Sequence, residues 1–326
     1  MAVLSQLALL VSADEGLRRI SIPAGRRRVT IGRAKKCDLV LDDGSVSREH
    51  AAIYTGVRLA LEDLGSSNGT WLLGRRMDAH EKAQLPLGAA FDLAESTMLV
   101  HDRRKIPRLK PSSGRAAKAG PVVADPRSLR LYGFLQVIAP SPLDVLLVGD
   151  TGTGKRTYAH ALVARSPLAK KPLVTVDCGT LDHAQLGAAR EEAGSGTLLF
   201  ERVDELPDSL RSKVLGPRRG GPRRIFTARA AGPRLATEIS GFALAMPPLR
   251  MRREDILPLA RLFVERSAKQ LHERTPELSE QAANALTRHE WPRNVRELES
   301  VIDRAVLDAD GAEWIDLEHL RLPRYE

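Results

Sequence analysis

Residues 149–155 read Gly-Asp-Thr-Gly-Thr-Gly-Lys and follow the apolar run Val145-Leu146-Leu147-Val148. Small residues let backbone N–H groups turn inward on anionic oxygens, and a lysine reaches the terminal phosphates. The segment from Arg156 to Ala164 has the composition of a helix, whose N-terminus favours negative charge. Gly149, Gly154 and Lys155 fit the spacing of a phosphate-binding loop, so the pattern points to ATP. The candidate contacts are Gly149, Asp150, Thr151, Gly152, Thr153, Gly154, Lys155, Arg156 and Thr157. A glycine-rich turn with a surface lysine is the plain alternative. At Arg156 a Ser or Thr hydroxyl ordinarily meets magnesium.

The elements that must position this loop can be read from periodicity. Apolar runs at 145–148, 173–176, 197–200 and 225–228 alternate with helical patterns across residues 122–250, which predicts a parallel sheet with crossover helices. Residues 253–310 read as purely helical. There Val295, Leu298, Val301, Ile302 and Ala305 fall at helical spacing, with Asn294 as the expected N-cap. Residues 1–102 read as all-β. Val57, Leu59 and Leu61 alternate with Arg58, Ala60 and Glu62, and turn signals recur between short apolar runs. Residues 103–121, rich in Arg, Lys, Pro and Ser, read as a basic linker.

Composition sets the bounds. A chain of 326 residues implies two or three domains. A net charge of +9 permits phosphorylated partners or nucleic acid and proves neither. Two distant cysteines, Cys37 and Cys178, argue against a disulfide framework and suit a reducing cytosol, so the expected location is cytoplasmic. No apolar run approaches the length of a membrane span. Arg211, Lys213, Arg218, Arg219, Arg223 and Arg224 form a second basic cluster around Gly220-Gly221. It reads as a solvated loop, with a grip on DNA or an anionic protein as the alternative.

Gly32-Arg33, Ser47-Arg48-Glu49-His50 and Ser66-Ser67-Asn68-Gly69-Thr70 resemble a forkhead-associated (FHA) domain in order and spacing. A phosphate dianion wants a guanidinium fork with hydroxyl and amide donors on loops at one end of a rigid sandwich. The resemblance implies that Arg33, Ser47 and Arg48 contact a phosphothreonine, that Ser67 and Asn68 hold the ligand's backbone, and that His50 and Gly69 are structural. The partner would be a threonine-phosphorylated protein, a kinase or a regulator. The family often places an Asn shortly after Asn-Gly-Thr, where Leu73 stands here.

The loop at 149–155, Pro172 to Cys178, Gly196 to Phe200, Glu205-Leu206-Pro207, Pro247 to Ile256 and Trp291 to Leu298 resemble the AAA+ domain of bacterial sigma-54-dependent transcription activators. The resemblance implies ATP and Mg2+ as cofactors, a homo- or mixed hexameric ring, and Arg296 on the lid helix as a γ-phosphate sensor. The expected architecture is therefore multidomain. An all-β FHA sandwich (1–102) and the basic linker (103–121) precede an α/β P-loop AAA+ domain (122–250) with an α-helical lid (251–326).

The departures from the family decide the mechanism. After Leu198-Leu199-Phe200 the family has Asp-Glu; this chain has Glu201-Arg202. Glu201 retains an acid for magnesium, but Arg202 cannot act as a general base because a guanidinium stays protonated. Asp204-Glu205 offers an alternative register that would place Glu201 and Arg202 inside a buried strand. The family's Gly-Ala-Phe-Thr-Gly-Ala loop, which grips sigma-54, has no counterpart between Gly179 and Ser195, where Gly187-Ala188-Ala189 is its nearest trace. The arginine-finger positions align with Gly232 and Glu238, with Arg234 nearby, and the sensor Asn aligns with Ala230. The tail after the lid helix cannot hold a helix-turn-helix, so sequence-specific DNA binding is not expected of this chain.

Three readings follow. One is a phosphothreonine-responsive, ATP-binding regulator with impaired hydrolysis. The second is an active ATPase driving sigma-54-dependent transcription. The third is a phosphopeptide scaffold on an inert AAA+ fold.

Overall fold

The computed structural model describes residues 7–13, 16–104, 120–218, 220–230, 232–239, 241–271 and 274–323. The chain divides into two compact units. The first holds residues 1–120, 130–149 and 155–246; the second holds 121–129, 150–154 and 247–326. Most of the linker, including Lys105, Arg108, Lys110, Arg115 and Lys118, lies outside the described residues, as does Arg219.

The first unit opens with a β-sandwich. Its strands are β1 (Leu7–Ala13), β2 (Gly16–Ser21), β3 (Arg28–Gly32), β4 (Leu39–Val40), β5 (Ala51–Tyr54), β6 (Ala60–Asp63), β7 (Thr70–Leu72), β8 (Arg75–Arg76), β9 (Lys82–Gln84), β10 (Ala90–Leu93) and β11 (Ser96–Asp102). One sheet has the order β2-β1-β11-β10-β7-β8, and the facing sheet β4-β3-β5-β6-β9. Burial alternates along β6, with Leu61 and Asp63 buried. The strand is shorter than the alternation at 57–62 predicts: Val57 is fully exposed and precedes it, because the chain turns after Tyr54 before pairing. Both cysteines are buried and unpaired, and burial pushes the Cys178 thiol up to about 12.

An α/β layer follows: α1 (Pro126–Ile138), β12 (Val145–Val148), α2 (Lys155–Ala164), β13 (Leu173–Asp177), α3 (His183–Ala193), β14 (Thr197–Glu201), α4 (Asp208–Leu215), β15 (Arg223–Ala228), α5 (Pro233–Glu238) and β16 (Phe242–Ala245). Its five strands are all parallel in the order β13-β14-β15-β12-β16. The four predicted apolar runs are strands, and β16 at the edge is an addition to them. Every residue of β12 is buried, as expected for a strand covered on both faces.

The edge strand β16 does not face solvent along its whole length. Ala243 N donates to Gly88 O at 2.9 Å, and Ala89 bridges Ala243 in parallel register. Gly88 sits at φ +95°, and a Cβ there would meet Gly241 O at 2.0 Å, so only glycine permits this approach. The apolar side chains of the sandwich interior and of one sheet face form a contiguous cluster, from Leu9, Ile31 and Phe91 to Leu146, Phe200 and Phe226.

The second unit is built on α6 (Ile256–Leu271), α7 (Glu280–Arg288) and α8 (Asn294–Ala309), packed around Trp291, Phe263, Leu298 and Ile302. It is not purely helical. The strands β17 (Glu277–Leu278) and β18 (Trp314–Ile315) pair in parallel between helices. Asn294 is not the cap. It is the first helical residue, wholly buried, at φ +57°, and its amide oxygen accepts from Leu249 N at 2.8 Å. Among the described residues, no helix is long and apolar enough to cross a membrane.

Candidate functional site

Within the first unit, Gly149 N donates to Ala228 O at 3.1 Å, fixing the loop's start beside β15. Lys155 opens α2, and its Nζ donates to Gly149 O at 2.5 Å. Gly149, Gly152 and Gly154 all have positive φ, the conformations that let successive amides face one side. Within the second unit the lid holds the loop's carbonyls. Arg252 Nη2 donates to Thr153 O at 2.7 Å, Asn294 Nδ2 to Thr151 O at 3.0 Å, and Val295 N to Gly152 O at 3.0 Å. A Cβ on Gly152 would meet Arg293 O at 2.2 Å and the Arg296 Cβ at 3.2 Å, which places Arg296 against the loop. Asp255 anchors the same unit by accepting from Ala124 N at 2.6 Å and Asp125 N at 2.8 Å. The residues Arg252 and Asn294 were not singled out from sequence as loop-binding groups. Their signal was present in the motifs at 247–256 and 291–298, but an Asn before a helical run reads first as a cap.

The acidic edge of the sheet is occupied by arginines. Glu201 ends β14 as a half-buried residue, and Arg156 Nε stands 3.9 Å from its Oε1. Arg202 follows in the left-handed region, at φ 58° and ψ 47°. Its Nη1 donates to Glu205 Oε2 at 2.5 Å, and its Nη2 to both carboxylate oxygens of Asp177. The hydrogen bonds from Arg202 hold the Asp177 carboxyl below its ordinary range, and the same bonds raise Arg202. Asp204 and Glu205 lie beyond the strand in a single 3-10 turn, and Asp204 accepts from Arg229 N at 3.2 Å. Arg234 is tied to Glu238 at 3.1 Å, and Glu238 also accepts from Arg211.

This donor set does not fit a protein-held magnesium ion. Such a site needs a hydroxyl at the helix start and an acid unencumbered by cations. Here a guanidinium stands at the first place and faces the acid at the second.

Helix α3 runs unbroken from His183 to Ala193, opened by a capping box in which Asp182 accepts from Gln185 N. Residues 194–196 then lead directly into β14. No loop is inserted between α3 and β14.

The second basic cluster is not a surface patch. Arg223 and Arg224 are buried at 2% and 7% exposure. Arg223 donates to the carbonyls of Leu143, Ala139 and Ile138, and burial lowers its pKa to about 10. Arg224 pairs with the buried Asp144 and donates to Val214 O and Gly216 O. These two side chains fasten β15 to its neighbours, which leaves Arg211, Lys213 and Arg218 as the cluster's more accessible members.

At one end of the sandwich, three loops converge. Arg33 N donates to Ser47 O and Ala34 N to Arg48 O, both at 3.0 Å, which ties the loop after β3 to the one before β5. Gly32 allows this, since a Cβ there would meet Arg48 O at 2.4 Å. The loop after β6 joins them: Ser67 N donates to Ser47 Oγ at 3.0 Å and Asn68 Nδ2 to Ser45 O at 2.7 Å. Arg33, Arg48, Ser67 and Asn68 are exposed around the half-buried Ser47. His50 is fully buried below them. Its Nδ1 accepts from Ser47 N at 3.0 Å, and its Nε2–H donates to Gly69 O at 3.1 Å. Burial holds the imidazole below its ordinary pKa, so the neutral form matches both bonds. Gly69 sits at φ +84°. All the residues singled out here from sequence are thus brought together.

The fold and loops define a P-loop α/β domain with a helical lid, joined to an FHA-type sandwich. Family models match accordingly: the FHA domain at residues 29–94, the sigma-54 interaction domain at 122–190 and the AAA+ ATPase lid domain at 250–324. Among curated relatives, the sigma54-dependent transcriptional activator SfnR of Pseudomonas putida is 32% identical over 63% of this chain and 69% of its own length. The transcriptional regulatory protein ZraR of Klebsiella oxytoca is 30% identical over 82% of this chain and 68% of its own. The nitric oxide reductase transcription regulator NorR1 of Cupriavidus necator is 33% identical over 66% of this chain. The crystal structure of NtrX from Brucella abortus in complex with ATP matches with TM-score 0.53 and 25% identity over 61% of this chain. The chain belongs to the family of sigma-54-dependent transcriptional activators, proteins of transcription regulation. It spans about half the length of some of these relatives, 52% of NorR1 and 55% of NtrX.

Proposed function

We propose that this protein is a phosphothreonine-responsive member of the family whose ATPase half binds ATP and hydrolyses it poorly. The observation that carries the reading is Arg202. It stands where the family's water-activating glutamate belongs, and it is tied to Asp177 and Glu205 on either side. A protonated guanidinium cannot accept the proton of an attacking water. Glu201, the remaining acid, faces Arg156. The loop from Gly149 to Thr157 keeps its backbone donors and Lys155, and NtrX, its structural relative, is an ATP-bound protein.

In this reading Arg33, Ser47 and Arg48 capture a phosphothreonine on a kinase or regulator, with Ser67 and Asn68 on the peptide backbone. His50 and Gly69 hold the pocket's shape. Nucleotide then acts as a structural ligand of the closed form, within a homo-oligomeric ring or one mixed with competent paralogues. The uninterrupted α3 supports loss of direct sigma-54 engagement. The cellular site is the cytoplasm, and the chain divides into its functional domains at residues 102, 121 and 250.

The test is steady-state ATP turnover beside equilibrium ATP binding, for the full chain and for Lys155→Ala. Binding lost in the variant, with turnover no higher in the parent than in the variant, is the expected result. Robust turnover that Lys155→Ala abolishes would show a live motor instead.

A further inference from the structure

Magnesium ordinarily does three things at such a loop. It neutralises the β- and γ-phosphate oxygens, tethers them to the helix through a hydroxyl, and tethers them to the sheet through an acid. In this chain a single cationic side chain stands at both of those anchor points. Arg156 lies in the first turn of α2, next to Lys155 and at the positive end of the helix dipole. Its side chain is 64% exposed, so the guanidinium is open to solvent at the start of the helix. Its Nε is 3.9 Å from Glu201 Oε1, the acid at the end of β14. The other carboxylates along this edge are already engaged. Asp177 and Glu205 hold Arg202, and Asp204 accepts from Arg229 N.

We propose that this loop binds nucleoside triphosphate without a divalent cation, the Arg156 guanidinium bridging the polyphosphate and Glu201 in the metal's place. A guanidinium fork matches phosphate oxygens in two-point geometry, stays charged at any working pH, and is covalently fixed to the helix. With Lys155 it brings two positive charges to the loop. It cannot coordinate a water as a divalent ion does, so it keeps affinity while adding to the loss of turnover that Arg202 imposes. The inference rests on the ATP-binding reading above and adds to it the charge carrier.

The experiment is ATP titration of the full chain, by calorimetry, in excess magnesium and in excess EDTA. Parent protein is expected to bind with the same affinity in both, within about threefold. Arg156→Thr, which restores a hydroxyl, is expected to lose about tenfold or more in EDTA and to recover with magnesium. Parent affinity that drops tenfold or more in EDTA would overturn the proposal while leaving ATP binding intact. So would an Arg156→Thr protein that binds in EDTA as the parent does. The parent comparison needs no variant and does not depend on one folding. Absence of binding in both buffers would remove the ATP reading itself and this inference with it.

Discussion

Arg202 grips Asp177 through both carboxylate oxygens, joining the end of β14 to the end of β13 across their parallel pairing. The guanidinium is therefore not idle at this position; Asp177 and Glu205 both engage it. Restoring the acid alone should fail. Arg202→Glu would set three carboxylates together, at 177, 202 and 205, and like charges in contact resist ionisation together. The single variant is expected to show no turnover above Lys155→Ala. Arg202→Glu combined with Asp177→Asn and Arg156→Thr is expected to turn over ATP with magnesium. A triple variant as silent as the parent would place the block elsewhere in the domain.

Phosphopeptide capture should depend on the loops that Ser47 joins. Arg33→Ala removes one charge-assisted donor, worth about 1.5–3 kcal/mol, or about tenfold to a hundredfold in affinity. Fluorescence polarisation with a phosphothreonine peptide library and its unphosphorylated counterpart checks this. Equal binding of both libraries would sink the phosphothreonine reading.

Acid should loosen the sandwich through His50. Its folded pKa lies below the ordinary value of about 6.5, chiefly because of burial. The unfolded chain therefore takes up more protons on acidification. The stabilising contribution is complete above about pH 6.5 and is lost as pH falls through the folded pKa. Protonating Nδ1 also turns the acceptor of Ser47 N into a donor, which breaks the brace beneath the pocket. Buried His101 is lowered for the same reason and adds to the slope. Each histidine contributes at most about 1.4 kcal/mol per pH unit in that window. Urea midpoints across pH should be flat near neutrality and fall below about 6.5, less steeply in His50→Gln. An identical slope in the variant would assign the effect elsewhere.

Arg224→Ala should unfold the α/β layer sooner. It leaves Asp144, buried at 4% exposure, without its closest counter-charge. Removing one partner of a buried pair typically costs about 3–5 kcal/mol. Arg211→Ala, on the accessible side of the same cluster, should change stability by less than about 1 kcal/mol. Chemical denaturation of both variants separates a fastening role from a surface charge.

What the sequence displayed and what it concealed divide along the reach of interactions. The loop at 149–155, the runs at 145–148 and 197–200 and the three sandwich loops were legible, because glycine spacing and burial periodicity are local. Arg223 and Arg224 were misread as surface charge, because their acceptors, Asp144 and the carbonyls of 138–143, are distant in the chain. Asn294 was misread as a cap because its partners, Thr151 and Leu249, lie on other segments. Asp177 showed no sign of its role until Arg202 was seen against it. Side chains that act across segments have no periodicity to betray them.

The contact between the Gly88 loop and β16 makes the two halves poor candidates for separate lives. A sheet edge with free amides is a template for another strand, and proteins hide such edges. Here the hiding is done by the sandwich, at Ala243 N, through a glycine that tolerates no side chain. Recombination that exchanged this sandwich for another domain would bare that edge, and so would a cut at the compositional boundary near residue 102. The α/β half alone would then be prone to pair with copies of itself. The sandwich in this respect also shields the sheet, and its inheritance is bound to that of the edge it covers.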